Sequence, residues 1–237
     1  MLVTWVSRKG GRRANEDSVG KLRAGSIMCI AVADGLGGHA GGGLASETAV
    51  AAALDEFGRN PEFSIDAIKR YISAANNAVM DRAAADPDNI HMSSTIVLLL
   101  VKGKKAIWAN VGDSRLYMFR SGRIAEVTED HSLAFIEFLD GKIEYDEIKN
   151  SPLQNKLTSA LGMSAGEINI SDIKNIDNNT CFFLCSDGWW EYVSDEDMED
   201  TLNQSPTARQ WLEKMLDIRE KAAPENSDNY TAAAVMM

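Results

Sequence analysis

The stretch SIMCIAVADGLGGHAGGGLAS, residues 26–46, joins an apolar run to an acidic residue and a glycine-rich segment. The run from Ile27 to Ala33 has no alternating polar residues, which predicts a strand buried on both faces. Asp34 ends this run, and a carboxylate there is costly unless a positive charge lies against it. The glycines let the backbone approach a ligand closely. The stretch predicts a metal or phosphate site at Asp34, although a strand followed by an ordinary surface turn fits it equally well.

Outward from this stretch, apolar and β-branched runs predict further strands. These are Leu2–Val6, Ser18–Lys21, Ser94–Val101, Ala106–Val111, Arg115–Phe119, Arg123–Val127, Glu167–Ile173, Thr180–Cys185 and Asn229–Met236. Apolar residues at helical spacing, with Ser64 and Ser194 as N-caps, predict helices. These are Leu44–Phe57, Ser64 to about Ala85 (ended by Asp86-Pro87), a short acidic helix after Ser194, and Pro206–Lys221. Between Asp130 and Leu161 the charge-rich composition predicts short helices packed on the surface.

The order of these elements predicts an α+β fold. Two helices follow the first strands and two lie near the end, while most strands are apolar runs. This order favours a four-layer α-β-β-α sandwich, with two central, mostly antiparallel sheets flanked by helix pairs. The length of 237 residues and the absence of a linker or low-complexity tract predict one domain over residues 1–237.

Composition narrows the class of protein. A net charge of −11 and the lack of a basic stripe argue against a nucleic-acid partner and weakly against an anionic membrane surface. No apolar run is long enough to cross a bilayer, and the N-terminus lacks a signal-peptide pattern. Cys29, Cys181 and Cys185 all lie in apolar runs, which predicts free core thiols. We therefore expect a cytoplasmic protein.

Acidic residues recur at the predicted ends of strands. Asp187 follows an apolar strand, as Asp34 does. Glu16-Asp17 precede a strand, Asp113 lies in a tight turn between two strands, and Asp228-Asn229 precede the last strand. Carboxylates gathered at one end of a sandwich must be neutralised, and the hard cations Mg²⁺ and Mn²⁺ prefer oxygen ligands. Zinc is disfavoured because the three histidines are isolated and the cysteines lie within strands.

A pair of hard cations would suit phosphoryl chemistry. Two such ions about 4 Å apart generate a bridging hydroxide and clamp a phosphoryl group for in-line attack. Arg12, four residues before Glu16, is a candidate for a bidentate phosphate contact. Arg13 is the competing residue, and the spacing from Glu16 favours Arg12.

These residues resemble the metal-dependent protein phosphatases of the 2C type in their compact bacterial form. Eight blocks occur in the family's order over nearly the whole chain: RRANED (12–17), VADGLGGHAGG (32–42), SST (93–95), ANVGDSRLY (109–117), TEDHS (128–132), LTSALG (157–162), CSDGWW (185–190) and SDNYTAAAV (227–235). Each block alone is weak, but eight in order are specific. The segment 133–157 corresponds to the family's mobile flap and matches least well, which leaves substrate preference open.

The resemblance implies a role for each matched position. Asp34 would bridge two Mn²⁺ or Mg²⁺ ions, Glu16 and the Gly35 carbonyl would complete the second site, and Asp187 and Asp228 would hold the first ion. Asp113, with help from Asp187, would hold a weaker third ion. Arg12 would bind substrate phosphate, making it and Asp34 the catalytic pair. Asp17 and Asn229 would orient the ligands.

The chain departs from the animal members of this family at one catalytic position. Leu36 stands where those members carry a histidine that is proposed to protonate the leaving oxygen. Bacterial members commonly lack that histidine as well. A metal-coordinated water is then the expected acid. We expect His39 and His131 to be structural, His91 to be solvated, and Trp189-Trp190 to be packing residues.

The resulting expectation is a monomeric Ser/Thr phosphoprotein phosphatase that opposes a partner kinase. Phosphoserine and phosphothreonine would be hydrolysed by a water or hydroxide bridging two divalent ions, without a phosphoenzyme. Two alternatives stay open: a pseudophosphatase that binds phosphoproteins without turnover, and a metal-dependent hydrolase of a small phosphate ester.

Overall fold

The computed structural model describes residues 1–36, 41–85, 91–163 and 167–237. The predictions made for His39, for part of the glycine-rich segment and for the helix end at Asp86-Pro87 lie outside these residues. None of the helices in the described ranges combines the length and apolar character that a bilayer crossing requires.

Five strands form the first sheet, and every pair in it is antiparallel. They are β1 (Leu2–Arg8), β7 (Arg115–Arg120), β8 (Arg123–Val127), β11 (Thr180–Cys185) and β12 (Tyr230–Met236). Their order across the sheet is β1-β12-β11-β7-β8. The last strand of the chain therefore lies in the interior of the sheet, which brings the residues before Tyr230 beside those after Cys185.

Seven strands form the second sheet. They are β2 (Asp17–Ala24), β3 (Ile27–Leu36), β4 (Ser93–Ser94), β5 (Ile96–Lys102), β6 (Lys105–Val111), β9 (Asn169–Ile170) and β10 (Lys174–Asn175). The main order is β10-β6-β5-β3-β2, with β4 on β3 and β9 on β6. In this register Asp17 pairs with Asp34.

Helices cover the outer face of each sheet. On the second sheet these are α1 (Gly41–Arg59) and α2 (Ile65–Ala85), and on the first sheet they are α5 (Asp195–Asn203) and α6 (Ala208–Ala222). The remaining described helices are α3 (Leu133–Leu139), a 3₁₀ helix over Tyr145–Asn150 and the short α4 (Asp187–Trp190). Ser64 caps α2 by accepting a hydrogen bond from Ala67 N–H, and Ser194 caps α5 in the same way from Asp197 N–H, as predicted.

Three apolar layers confirm the predicted α-β-β-α sandwich. One layer packs α1 and α2 on the second sheet, and another packs α5 and α6 on the first sheet around Trp211. The third lies between the sheets and contains Ile30, Leu99 and Phe182. Each of these three side chains is at most 1% exposed. The continuous apolar runs in the sequence are therefore strands covered on both faces.

The predicted strand Glu167–Ile173 is wrong in extent. Of the predicted residues, only Asn169–Ile170 form a strand, which pairs with β6. A second short strand, Lys174–Asn175, follows and also pairs with β6. Between them the Ser171 hydroxyl accepts the hydrogen bond of Trp108 N–H, at 3.0 Å. A side-chain oxygen thus replaces a main-chain carbonyl in the ladder and interrupts the strand.

Residues 133–157, which we call the excursion, lie within the stretch from Asp130 to Leu161 for which the composition predicts short helices packed on the surface. The excursion contains α3 and the 3₁₀ helix, and it has its own small apolar cluster around Phe135 and Ile148. Ser132 caps α3 by accepting a hydrogen bond from Phe135 N–H, at 3.2 Å. The excursion returns to the sandwich at Leu157, which bridges with Ser132.

Candidate metal centre

The acid-bearing strand ends meet at one cavity of about 290 Å³. Its lining includes eight of the nine predicted site residues: Arg12, Glu16, Asp34, Gly35, Asp113, Asp187, Asp228 and Asn229. Asp17, the ninth, is buried beside the cavity. Leu36, Asn155 and Leu157 complete the wall. Sequence reasoning missed Asn155, which lies in the excursion where the family match is weakest, and it assigned no site role to Leu157, the first residue of the LTSALG block.

Asp34 is held by its own backbone. Its N–H donates to Thr95 Oγ1 at 2.9 Å, and its carbonyl accepts from both Thr95 N–H and Ser94 Oγ at 2.9 Å. The hydroxyls of Thr95 and Ser114 lie 2.7 Å apart. The main chain at Asp34 is thus tied to β4 and to the turn after Asp113, which leaves the carboxylate at the cavity wall.

Gly35 lies where two backbone segments nearly touch. Its N–H donates to the Glu16 carbonyl at 3.1 Å. A Cβ atom at Gly35 would lie 2.0 Å from the Gly42 carbonyl oxygen, closer than any real contact. A glycine is therefore required here for α1 to begin against the end of β3.

Asp187 begins α4 directly after the buried strand β11. One of its carboxylate oxygens accepts from Gly188 N–H at 2.6 Å. The preceding Ser186 donates its hydroxyl to Asp17 Oδ2 at 2.7 Å, while Asp17 Oδ1 has no hydrogen-bond partner in the described part of the chain. Asp17, which pairs with Asp34 across β2 and β3, is thereby linked to the end of β11.

Asp113 lies in a turn fixed from two sides. Gly112 has φ +94°, a conformation that favours glycine. Its N–H donates to His131 Nδ1 at 3.0 Å, which agrees with the structural role expected for His131. On the other side, the Trp190 indole donates to the Asp113 carbonyl at 3.0 Å. The packing tryptophan thus also orients an acid of the cavity.

Asn229 attaches the N-terminal loop to the last strand. Its amide group donates to the carbonyls of Lys9 and Ala14, at 2.7 and 2.9 Å, and its Oδ1 accepts from Glu16 N–H at 2.8 Å. This loop brings Arg12 to the cavity rim, where Nη2 donates to Asp228 Oδ2 at 2.6 Å. Arg13 does not line the cavity, so the geometry favours Arg12 over its neighbour.

Arg219 is a buried residue of the site region that the sequence analysis missed. Its guanidinium donates to the carbonyls of Gly188 and Asp228, at 3.0 and 3.3 Å, and to Ser227 Oγ at 3.0 Å. It also lies 3.6 Å from the centre of the Tyr230 ring. One side chain of α6 therefore supports the backbone beside both Asp187 and Asp228. The sequence did contain an indication of this burial, because Arg219 is at helical spacing from the apolar residues Leu212 and Met215 and so lies on the same face of α6.

Replacement of this arginine is expected to destabilise the fold. Arg219→Met should lower the free energy of unfolding by about 3 kcal/mol, because two buried carbonyls and a hydroxyl lose a charged donor. Urea denaturation measures the loss. Arg209→Met on the same helix is the control: the Arg209 side chain is 81% exposed and pairs with Glu213 one turn away, so we expect a loss below about 0.5 kcal/mol. Equal losses would contradict the assigned role of Arg219.

Burial, together with the charges of neighbouring carboxylates, raises the pKa values of four acids at the cavity. Desolvation, reinforced by the charge of Asp187, raises the pKa of Asp34 well above its ordinary value. Desolvation and the charge of Asp113 do the same to the pKa of Asp187. Burial raises the pKa of Asp17 to about 6, and burial together with Asp130 raises the pKa of Asp113 to about 7. The cluster is therefore short of positive charge at neutral pH.

The donor set fits a hard divalent cation. The wall presents carboxylates and one backbone carbonyl, whereas all three cysteines are free, buried thiols in strands and no described histidine lines the cavity. Within the described ranges, no group of three or more histidine, cysteine, aspartate or glutamate side chains is arranged so that it could hold a metal ion by itself. Mg²⁺ and Mn²⁺ suit such an open, oxygen-lined site because Mg²⁺ keeps several waters and both prefer oxygen ligands.

Known proteins resemble this chain in both sequence and structure. A family described as "Protein phosphatase 2C" matches residues 8–228. The serine/threonine phosphatase stp of Listeria welshimeri is 31% identical over 198 residues, which covers 81% of this chain and 78% of that protein.

Two solved structures share the whole fold. The Mycobacterium tuberculosis serine/threonine phosphatase PstP/Ppp superposes with a TM-score of 0.87 at 27% identity, covering 100% of this chain and 98% of that one. The catalytic domain of the phosphatase PstP in complex with two manganese ions gives a TM-score of 0.86 at 26% identity, covering 99% and 97% of the two chains.

Proposed function

Because the chain belongs to the protein phosphatase 2C family, we propose that it hydrolyses phosphoserine and phosphothreonine in proteins with two Mn²⁺ or Mg²⁺ ions bound in the cavity. One observation carries this proposal: acidic residues from widely separated parts of the chain line a single cavity with an arginine at its rim. The manganese reported for the related PstP catalytic domain supports the choice of metal.

The cavity residues suggest how two ions would be shared. Asp34 would contact both ions, as the family resemblance implies, and it lines the same cavity as Asp187, Asp113 and Asp228. Asp187 and Asp228 would complete the first site. Glu16 and the Gly35 carbonyl would complete the second, because the Gly35 N–H already ties these two residues together.

A third, weaker site is proposed at Asp113. Asp113 lines the same cavity as Asp187, the residue that would share this ion with it. Asp17 would act behind the ligands, where its carboxylate accepts the Ser186 hydroxyl and fixes the end of β11. Asn229 would hold the loop that carries Glu16 and Arg12.

The bound ions would supply an activated bridging water for in-line attack on phosphorus and charge to stabilise the transition state. The chain itself would bind and orient the substrate. Arg12 is 58% exposed at the rim, so its guanidinium is accessible to phosphate oxygens in a bidentate contact. Asp228, its present partner, would then be released to the first ion.

The cellular setting is also part of the proposal. We infer a cytoplasmic, monomeric enzyme with one domain over residues 1–237 that acts on a Ser/Thr kinase and on that kinase's substrates. Three free cysteines fit a reducing compartment. The family match over residues 8–228 fits a single domain.

Turnover of a phosphothreonine peptide tests the proposed function against its two alternatives. With Mn²⁺ the protein should hydrolyse the peptide, and chelation by EDTA should abolish the activity. Binding of the peptide without release of phosphate would indicate a pseudophosphatase. Efficient hydrolysis of small phosphate esters with no peptide hydrolysis would indicate a small-molecule hydrolase.

Arg12→Ala should raise the Michaelis constant more than it lowers kcat. Loss of a charged hydrogen bond to phosphate is worth about 10- to 100-fold in KM. Steady-state kinetics on the phosphopeptide measure the split. Arg13→Ala is the matched control, since it removes a neighbouring exposed arginine that does not line the cavity, and its KM should stay within about twofold of the wild type. An unchanged KM in Arg12→Ala would remove the phosphate role.

A further inference from the structure

Helix α3 is apolar on both of its faces. Ala134 and Phe135 are buried against the excursion's own cluster. On the opposite side Leu133, Ile136 and Leu139 are 40%, 43% and 64% exposed. We call these three residues the α3 stripe. A surface helix normally presents polar residues to water, so an exposed apolar row indicates a surface that is covered in use.

The α3 stripe begins at the cavity wall. Leu133 N–H donates to the Lys156 carbonyl at 2.9 Å, and the preceding Ser132 bridges with Leu157. Leu157 and Asn155 both line the cavity. From this point the helix rises about 1.5 Å per residue, which places Leu139 about 9 Å farther along the surface. The first residue of the stripe is thus adjacent in the backbone to the residues of the cavity wall.

The size of the α3 stripe favours a peptide over a second copy of the chain. A stable dimer buries roughly 800 Å² on each partner, or about 20–30 residues a side. Three partly exposed side chains supply only a small part of that area. An extended peptide advances about 3.3 Å per residue, so about three residues span the length of the stripe.

We propose that the α3 stripe binds an apolar side chain of the phosphoprotein substrate, about three residues from the phosphorylated residue. This inference rests on the proposed function and assigns its substrate class: phosphorylated segments with a nearby large apolar residue. Arg12 and the cavity would engage the phosphate, while Ile136 and Leu139 would contact the apolar side chain.

Three phosphothreonine peptides of nine residues test the inference. One carries leucine three residues before the phosphothreonine, one carries it three residues after, and one has alanine at both positions. We expect one leucine peptide to have about tenfold higher kcat/KM than the alanine peptide, as burial of one large apolar side chain implies. Equal values for all three peptides would overturn the inference.

Variants of the α3 stripe test whether the preference for the leucine peptide arises at this surface. Ile136→Ser combined with Leu139→Ser should abolish the tenfold preference while the turnover of p-nitrophenyl phosphate stays unchanged. The control is Leu2→Ser combined with Ile65→Ser. These residues are 63% and 46% exposed, close to the values of Leu139 and Ile136, and they lie outside the excursion and the cavity wall. The control should retain the preference.

The remaining outcomes are also decisive. Survival of the preference in the stripe variant would overturn the inference. So would a wild-type dimer in analytical ultracentrifugation that the stripe variant converts to monomer, since a second copy would then cover the stripe. If the proposed function itself were wrong, the wild type would hydrolyse none of the three peptides, which differs from hydrolysis of all three at equal kcat/KM.

Discussion

Asp34→Asn is expected to lower kcat for the phosphothreonine peptide by at least about 10³-fold, because it removes the carboxylate assigned to both ions. Asparagine has the same shape, and the hydrogen bonds that fix this position are made by the backbone to Ser94 and Thr95. The fold should therefore persist. Phosphate release under saturating Mn²⁺ measures the effect.

A stability measurement separates this loss from misfolding. In the absence of divalent ions Asp34→Asn should be more stable than the wild type at pH 8, because it removes one of several mutually repelling carboxylates. Asp55→Asn, an exposed residue of α1, is the control and should retain full activity. Wild-type turnover by Asp34→Asn would contradict the assignment of Asp34.

The second large effect is a stability that depends jointly on pH and Mn²⁺. Mn²⁺ at 100 times its dissociation constant should stabilise the fold by about 2.7 kcal/mol per site, which corresponds to about 5–10 °C in Tm. The rise should be larger at pH 8 than at pH 5, because protons compete with the cation for the same carboxylates. Differential scanning fluorimetry with and without EDTA measures both effects.

The sign of the pH dependence follows from the raised pKa values. Asp17 at about 6 and Asp113 at about 7 bind protons in the folded protein at pH values where an unfolded aspartate, at 3.8, has lost them. The metal-free fold therefore holds more protons than the unfolded chain between about pH 4 and pH 7, and its stability falls as pH rises through that range. Equal metal-free stability at pH 5 and pH 8 would show that burial does not raise the pKa values of these two carboxyl groups in the folded protein.

The buried strands were the most predictable part of the fold. The strand Thr180–Cys185 was predicted with its observed bounds. The strand predicted over Ile27–Ala33 begins as predicted and continues as far as Leu36. A run that is apolar at every position has few alternatives to a strand covered on both faces. The edge strand near Glu167 was mispredicted because its extent depends on its partner β6 and on the Ser171 hydroxyl, which the local pattern does not reveal.

The acids of the candidate site were predictable because each sits at a recognisable strand end. The structure brings them to one cavity, and their roles as ligands remain predictions. The supporting residues were less accessible to sequence reasoning. Arg219 acts on backbone carbonyls 31 and 9 residues away in the chain, so only the fold reveals its partners. Trp190 was predicted to pack, but its indole contact with Asp113 also depends on tertiary structure.

The central claim is that the strand-end carboxylates form one cage around a pair of cations. Anomalous diffraction from crystals of the wild-type protein grown with Mn²⁺ tests it most directly. The account predicts two strong manganese peaks in the cavity, both within coordinating distance of Asp34, and neither peak in Asp34→Asn. A cavity without manganese in the wild type, or manganese bound only elsewhere on the surface, would contradict it.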